Sequence, residues 1–347
     1  MEKRTFRLPD NWHAHLRQDR LLDAIYHHFN IYGRVLCMGN TSPMIETPDK
    51  ALYYEKYIRR RDGTFEPVAC IMLTENTTPQ IIFEAARKGI KFVKFIPIGT
   101  STGATHGLRL DDFESLIRII KAIESAGMRL LIHAELNSLP NENIINELYR
   151  EEMAIPCLLC LLMIVPGLKI TIEHVSTAKM INFVLRQKGG NVRATLTPHH
   201  ALLTYDQVYN KRGRLINPYN YCLPVLKREK DRRAIEKAMV SGDERFFAGT
   251  DAAPHWQNDK EGKFPRPGIF FGQNEYLRYL EIFERNGAMD KFEDFTSRFG
   301  AEAYGYPLNT GEIIVRQGEW YQPVSENGIR FTMSEIPLRW KIEKVVY

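Results

Sequence analysis

The sequence predicts an α/β protein built as a (β/α)8 TIM barrel, and three observations predict it. Short β-branched or aromatic runs alternate with longer amphipathic stretches along the whole chain, which is βαβα order. Eight such runs can be counted, the number of staves in a barrel of this kind. No G-x-G-x-x-G follows the first of them, which disfavours a doubly wound open sheet.

Taken in order, the expected strands are Thr5 to Leu8, Arg34 to Met38, Pro67 to Leu73, Lys91 to Ile96, Arg129 to His133, Lys169 to Glu173, Val192 to Thr197 and Arg245 to Gly249. Helical periodicity separates them at Leu21 to Phe29, Ala51 to Arg60, Gln80 to Lys88, Phe113 to Ala126, Ala178 to Gln187 and Lys227 to Val240. An amphipathic helix over Asn274 to Arg285, another over Lys291 to Phe299, and shorter extended pieces from Gly311 to Tyr347 follow the last strand. With no Ser/Gly linker between them, residues 1–347 read as one domain, a barrel over 5–300 with the tail 301–347 packed on it.

Composition narrows the class. At 347 residues and 44% hydrophobic, the chain can bury a large core. Its net charge of +5 is dispersed, and the densest basic run, Lys227 to Arg233, contains two acids at a helix start, so a nucleic-acid partner is not expected. The five cysteines are scattered, a reduced, intracellular pattern. Cys157 and Cys160 sit among leucines with no second pair to complete a zinc site, and read as core residues. The start, MEKRTFRL, has no apolar h-region, so a cytoplasmic location is expected. The longest apolar run, Met153 to Val165, holds Pro156 and is shorter than the ~18 to 20 residues of a membrane span, so it reads as a buried helix and no membrane partner is expected.

Barrels of this kind place chemistry at the C-terminal ends of their strands. His13 and His15, in LPDNWHAHLR, stand two apart, so an extended chain points both rings to one side. Lys94 lies inside FVKFIP, where alternation groups it with Phe92 and Ile96. His133 and His174 end the fifth and sixth strands, and Asp251 follows the eighth in AGTDAAPH. Singly, each has an ordinary explanation: a satisfied core histidine, a loop-capping aspartate or a snorkelling lysine. Those explanations must coincide at five strand ends, whereas one metal site accounts for them together.

Lys94 decides the type of site. Beside divalent cations and out of water, a lysine readily loses its proton, and a neutral amine can add CO2 to give a carbamate whose oxygens bridge two metals. Four histidines, that bridge and one carboxylate suit a pair of Zn2+ ions ~3.5 to 4 Å apart. Metal coordination lowers the pKa of water, and Asp251 can accept and return its proton, so the implied reaction is attack on an amide-type carbonyl.

These residues resemble the amidohydrolase superfamily. NWHAHLR, Met38-Gly39-Asn40, VKFIPIGTSTGATHG, LLIHAE, IEHVST, NPYNYCLPVLKR and AGTDAAPH resemble the dihydroorotases, specifically the short monofunctional bacterial type, from Asn11 to about His255. The resemblance implies a hydrolase that reversibly interconverts N-carbamoyl-L-aspartate and L-dihydroorotate, the ring-closing step of pyrimidine synthesis. It implies two Zn2+ per subunit: His13 and His15 hold one with Asp251, His133 and His174 hold the other, and carboxylated Lys94 bridges. Asp251 is then the general base in hydrolysis and the acid in ring closure. Arg17, Asn40 and His255 match positions that hold the substrate carboxylate, and Leu223 one whose backbone meets the ring. Ile98 to Thr105 corresponds to a mobile loop, with Ser101 and Thr102 as the contacts. A homodimer is implied as well.

Two departures stand out: Ser101 replaces a common threonine, and Phe264 to Gln273 has no close match. His199 and His200, ending strand seven, are expected to be structural or to support the ligands. A hydantoinase or allantoinase is disfavoured because only four residues precede the expected first strand, too few to contribute to a β-sandwich. A mononuclear deaminase would lack the bridging lysine, and a non-catalytic dihydroorotase-like scaffold would be expected to lose ligands.

Overall fold

The computed structural model describes residues 2–101 and 107–347. Its strands are β1 (Lys3–Arg7), β2 (Asp10–Ala14), β3 (Arg34–Cys37), β4 (Glu66–Ala69), β5 (Ile71–Leu73), β6 (Phe92–Phe95), β7 (Arg129–Ile132), β8 (Lys169–Ile172), β9 (Val192–Leu196), β10 (Phe246–Ala248), β11 (Glu312–Trp320), β12 (Ser325–Glu326), β13 (Ile329–Arg330) and β14 (Leu338–Val346). Two parallel runs, β2-β3-β4 and β5 through β10, form the barrel. Strands β4 and β5 are two halves of one stave interrupted at Cys70. The seam between β10 and β2 closes through His13, whose carbonyl accepts from the Asp251 amide at 2.9 Å, and through His15, whose amide donates to the Ala252 carbonyl at 2.8 Å. The eight-stave (β/α)8 barrel is thus the observed architecture.

The expected first strand is corrected. Residues Lys3–Arg7 lie outside the barrel, antiparallel to β11, which in turn pairs antiparallel with β14. The physical reason is burial: β1 carries Lys3, Arg4 and Arg7 and buries only Phe6, whereas every residue of β2 is buried. Strand β2 escapes a hydropathy reading because its polar groups are paired inside. Asp10 accepts from Arg34 at 3.0 Å and from Asn309 at 2.8 Å, and Asn11 donates to Thr250 at 2.8 Å.

Several helices begin at a Thr-Pro pair, with threonine as N-cap and proline in the first turn, as at Thr47-Pro48, Thr78-Pro79 and Thr197-Pro198. The expected Lys291 to Phe299 helix is instead a 3-10 turn, a π segment over Asp294–Arg298 and a short α-helix over Phe299–Tyr304. The tail holds two nine-residue strands rather than only short pieces. Helix Arg150–Ile164 is not buried all round: Cys157 and Leu158 face inward, while Met153, Pro156, Leu159, Cys160, Met163 and Ile164 form an exposed stripe. Cys160 is therefore not a core residue.

Inside the barrel, Trp12, Leu36, Val68, Phe92, Leu131 and Phe247 make an apolar floor with Tyr304 of the tail. Because side chains alternate across a strand, the residue two beyond a floor residue enters the next layer up. Lys94 stands above Phe92, His133 above Leu131, and Asp251 four beyond Phe247. Gly249 falls between the last two, where a Cβ would lie 2.8 Å from Thr195 and 3.1 Å from the His13 side chain. Only glycine allows that approach.

Candidate active site

The cleft at the C-terminal mouth of the barrel is lined by His13, His15, Arg17, Asn40, Lys94, Ser101, His133, His174, Leu223 and Asp251, so ten of the expected residues converge. His255 stands just behind, its Nε2 3.1 Å from an Arg17 guanidinium nitrogen and 3.0 Å from the Pro267 carbonyl. Thr102 lies outside the described residues. Arg17, His174 and Asp251 all adopt left-handed backbone angles, with φ of 59°, 39° and 51°. Strain of this kind at non-glycine residues persists where surrounding contacts enforce it. For Arg17 those contacts include Tyr54, whose hydroxyl donates to the Arg17 carbonyl at 2.6 Å.

Hydrogen bonding fixes which ring nitrogens face the cleft. Nδ1 of His13 lies 2.5 Å from Glu173 Oε2, and Nε2 of His133 lies 2.8 Å from Glu135 Oε2. Ionised carboxylates only accept, so those nitrogens carry the protons and the opposite ones carry lone pairs. The lone pair of His13 Nε2 therefore points toward another acceptor, Asp251 Oδ1 at 3.4 Å, and that nitrogen has no hydrogen-bond partner among the described residues. Nε2 of His15 lies 3.1 Å from the same oxygen, and Nδ1 of His133 lies 3.2 Å from His174 Nε2. Lys94 Nζ is buried and makes no hydrogen bond to a described residue. The lone pair of His13 Nε2 facing an acid oxygen with no proton between them fits a cation as the missing partner, and His13, His15 and Asp251 bring their ligand atoms within 4.8 Å of one another.

Burial sets the charges. It pushes His13, His15 and His174 below the usual imidazole range, leaving them neutral as ligands must be, and it pushes the Lys94 ammonium toward the free amine. Burial raises the Asp251 carboxyl against the opposing pull of His13 and Lys94. At Glu173 burial also pushes upward, but His13, Lys94 and a 2.7 Å hydrogen bond from Thr195 together outweigh it and hold the carboxyl low.

Glu135, Glu173 and Lys260 are given no site role by the sequence alone. The glutamates sit beside expected ligands, in HAE and in EH, but adjacency alone says nothing of which ring they meet. Lys260 is buried and donates to the carbonyls of Tyr221 at 3.2 Å, Arg266 at 2.9 Å and Gly268 at 2.6 Å. Burial pushes its pKa down to about 7, yet three accepting carbonyls require three N–H groups, which only the ammonium has. Lys260 thereby ties Phe264 to Gln273, whose Pro267 and Gly268 line the cleft, to the segment bearing Leu223. His200 is held by Thr197 at 2.8 Å and the Pro224 carbonyl at 3.1 Å. His199 is buried in the same wall.

No family model matches the chain. It is 37% identical over 329 residues to the mitochondrial dihydroorotase of Oryza sativa, covering 93% of this chain and 79% of the relative. The dihydroorotase of Shewanella amazonensis is 34% identical, with 98% of each chain covered. The crystal structure of Saccharomyces cerevisiae dihydroorotase in complex with 5-fluoroorotic acid superposes with a TM-score of 0.90 at 26% identity over 99% of both chains. On these matches the chain belongs to the dihydroorotase family of the amidohydrolase superfamily.

Proposed function

We propose that the chain catalyses the reversible cyclisation of N-carbamoyl-L-aspartate to L-dihydroorotate. The observation that carries this reading is the convergence of His13 Nε2 and His15 Nε2 on one Asp251 oxygen, beside an unpaired buried Lys94. His13, His15 and Asp251 would hold one Zn2+, His133 and His174 the other, with Lys94 as the carbamate bridge formed from CO2. The ions would polarise the carbonyl under attack and lower the pKa of water.

The chain's own side chains do the rest. Arg17 offers a planar guanidinium suited to a carboxylate, with Asn40 and His255 beside it and the Leu223 backbone and Ser101 to complete the substrate contacts; Thr102, outside the described residues, is the further contact the resemblance implies. Asp251 takes a proton in hydrolysis and returns it in ring closure, and burial raises its affinity for that proton. Glu173 and Glu135 keep the rings of His13 and His133 in the ligand tautomer.

A single barrel domain acting as a homodimer in the cytoplasm completes the reading. The exposed apolar stripe of helix Arg150–Ile164 supports self-association, and the five unpaired cysteines suit a reducing compartment. Among the described residues no helix is long and apolar enough to cross a membrane. Elemental analysis with a dihydroorotate turnover assay tests the function. At least two zincs per chain and turnover are expected; metal-free protein that stays inert after zinc addition overturns it.

A further inference from the structure

We propose that His27, His28 and Glu326 form a separate transition-metal site, of Zn2+ type, which clamps the C-terminal hairpin to the outside of the barrel. The two histidines are adjacent in the 3-10 turn Tyr26–Phe29, and Glu326 comes from β12. Glu326 offers one oxygen to each ring: Oε1 lies 3.0 Å from His27 Nε2 and Oε2 lies 3.7 Å from His28 Nε2. The ring centroids are 4.1 Å apart, and the three ligand atoms lie within 4.8 Å of one another.

The His28 ring is held in place before any ion arrives. It stands edge-on to Phe270 at 5.4 Å and to Phe331 at 5.3 Å, so its orientation is fixed by packing. At 3.7 Å, Nε2 of His28 and Oε2 of Glu326 are too far apart for a hydrogen bond. His28 and Glu326 thus face each other without a bond of their own, and a divalent ion at ~2.0 to 2.2 Å from each ligand would supply one. Side-chain exposures of 39% for His27 and 40% for Glu326 leave a path for the ion and room for waters to complete its shell. Two imidazoles and a carboxylate select Zn2+, Co2+ or Ni2+ over Mg2+ and Ca2+, which prefer oxygen.

The clamp would brace the active-site rim from behind. In the same hairpin the Gly328 carbonyl accepts from the Gln257 amide at 2.9 Å, two residues past His255. Thr332, just beyond it, donates from its amide to the Phe270 carbonyl at 2.8 Å, two residues past Gly268.

Equilibrium dialysis of the purified full chain against micromolar Zn2+, followed by elemental analysis, compares wild type with His27→Ala and with Glu326→Gln. Wild type is expected to bind one more Zn2+ per chain than either variant, and added Zn2+ to raise its unfolding temperature by more than theirs. Equal zinc uptake by wild type and both variants overturns the proposal, as does an equal thermal shift. Both altered side chains are partly exposed, and the barrel ligands are common to all three proteins. The difference between them therefore does not depend on how many ions the barrel holds.

Discussion

Glu173 stands 2.5 Å from Nδ1 of His13, and its position there decides which nitrogen of that ring is left to face Asp251. The carboxylate is itself fixed by Thr195, whose hydroxyl donates to it at 2.7 Å and accepts from the His174 amide at 2.7 Å. One short network therefore orients residues on three staves of the barrel. Replacing Glu173 by Gln is expected to loosen the His13 tautomer and weaken metal retention by about 10- to 100-fold, the range usual for carboxylates behind a ligand histidine. Competition with a chelator measures it, and retention equal to wild type refutes the role.

Lys94→Ala removes the group proposed to become the carbamate bridge. Loss of most bound zinc and of turnover is expected, with the barrel still folded because the site lies above an intact apolar floor. Circular dichroism checks folding and elemental analysis checks metal; near wild-type zinc content rules out the carbamate bridge.

Lys260→Met should act on binding rather than on chemistry. The ammonium joins three carbonyls from two wall segments, and on the proposed function those walls would meet substrate and transition state alike. A rise in KM on the order of tenfold with little change in kcat is expected, the pattern of lost uniform binding. A fall in kcat at unchanged KM contradicts it.

Glu151 gives a pH dependence. Burial pushes its carboxyl up to about 7 from an ordinary 4.5, against the opposing Lys227 charge and hydrogen bonds from Thr177 and Ser176. Between those values the folded chain holds a proton that the unfolded chain has released. Its contribution is fully present below 4.5 and is lost as pH rises through 7, at most about 3 kcal/mol. Glu151→Gln keeps the shape of the protonated acid, so its unfolding temperature should fall less than that of wild type between pH 5 and pH 8. Parallel curves for the two proteins dispose of the linkage.

Met163→Lys tests the exposed stripe of helix Arg150–Ile164, in which Met163 is 79% exposed. If that face joins two copies, the charge should shift the protein to monomer in sedimentation at unchanged turnover. A dimer that survives the substitution places the interface elsewhere.

Local periodicity made much of this protein legible. Strand alternation alone sets Lys94 above Phe92 and His133 above Leu131 in the barrel interior, because those relationships span two residues. The same reasoning misplaced the first strand, since Asp10, Asn11 and His13 look solvated in one dimension and are paired with Arg34, Thr250 and Glu173 in three. What only the tertiary structure decided is which side chains meet across the closed seam. His15 and Asp251 touch although they are 236 residues apart, and Lys260 finds carbonyls on two loops that no periodicity connects. A repeat along the chain reports which face a residue occupies, whereas closing the barrel selects its neighbour on that face.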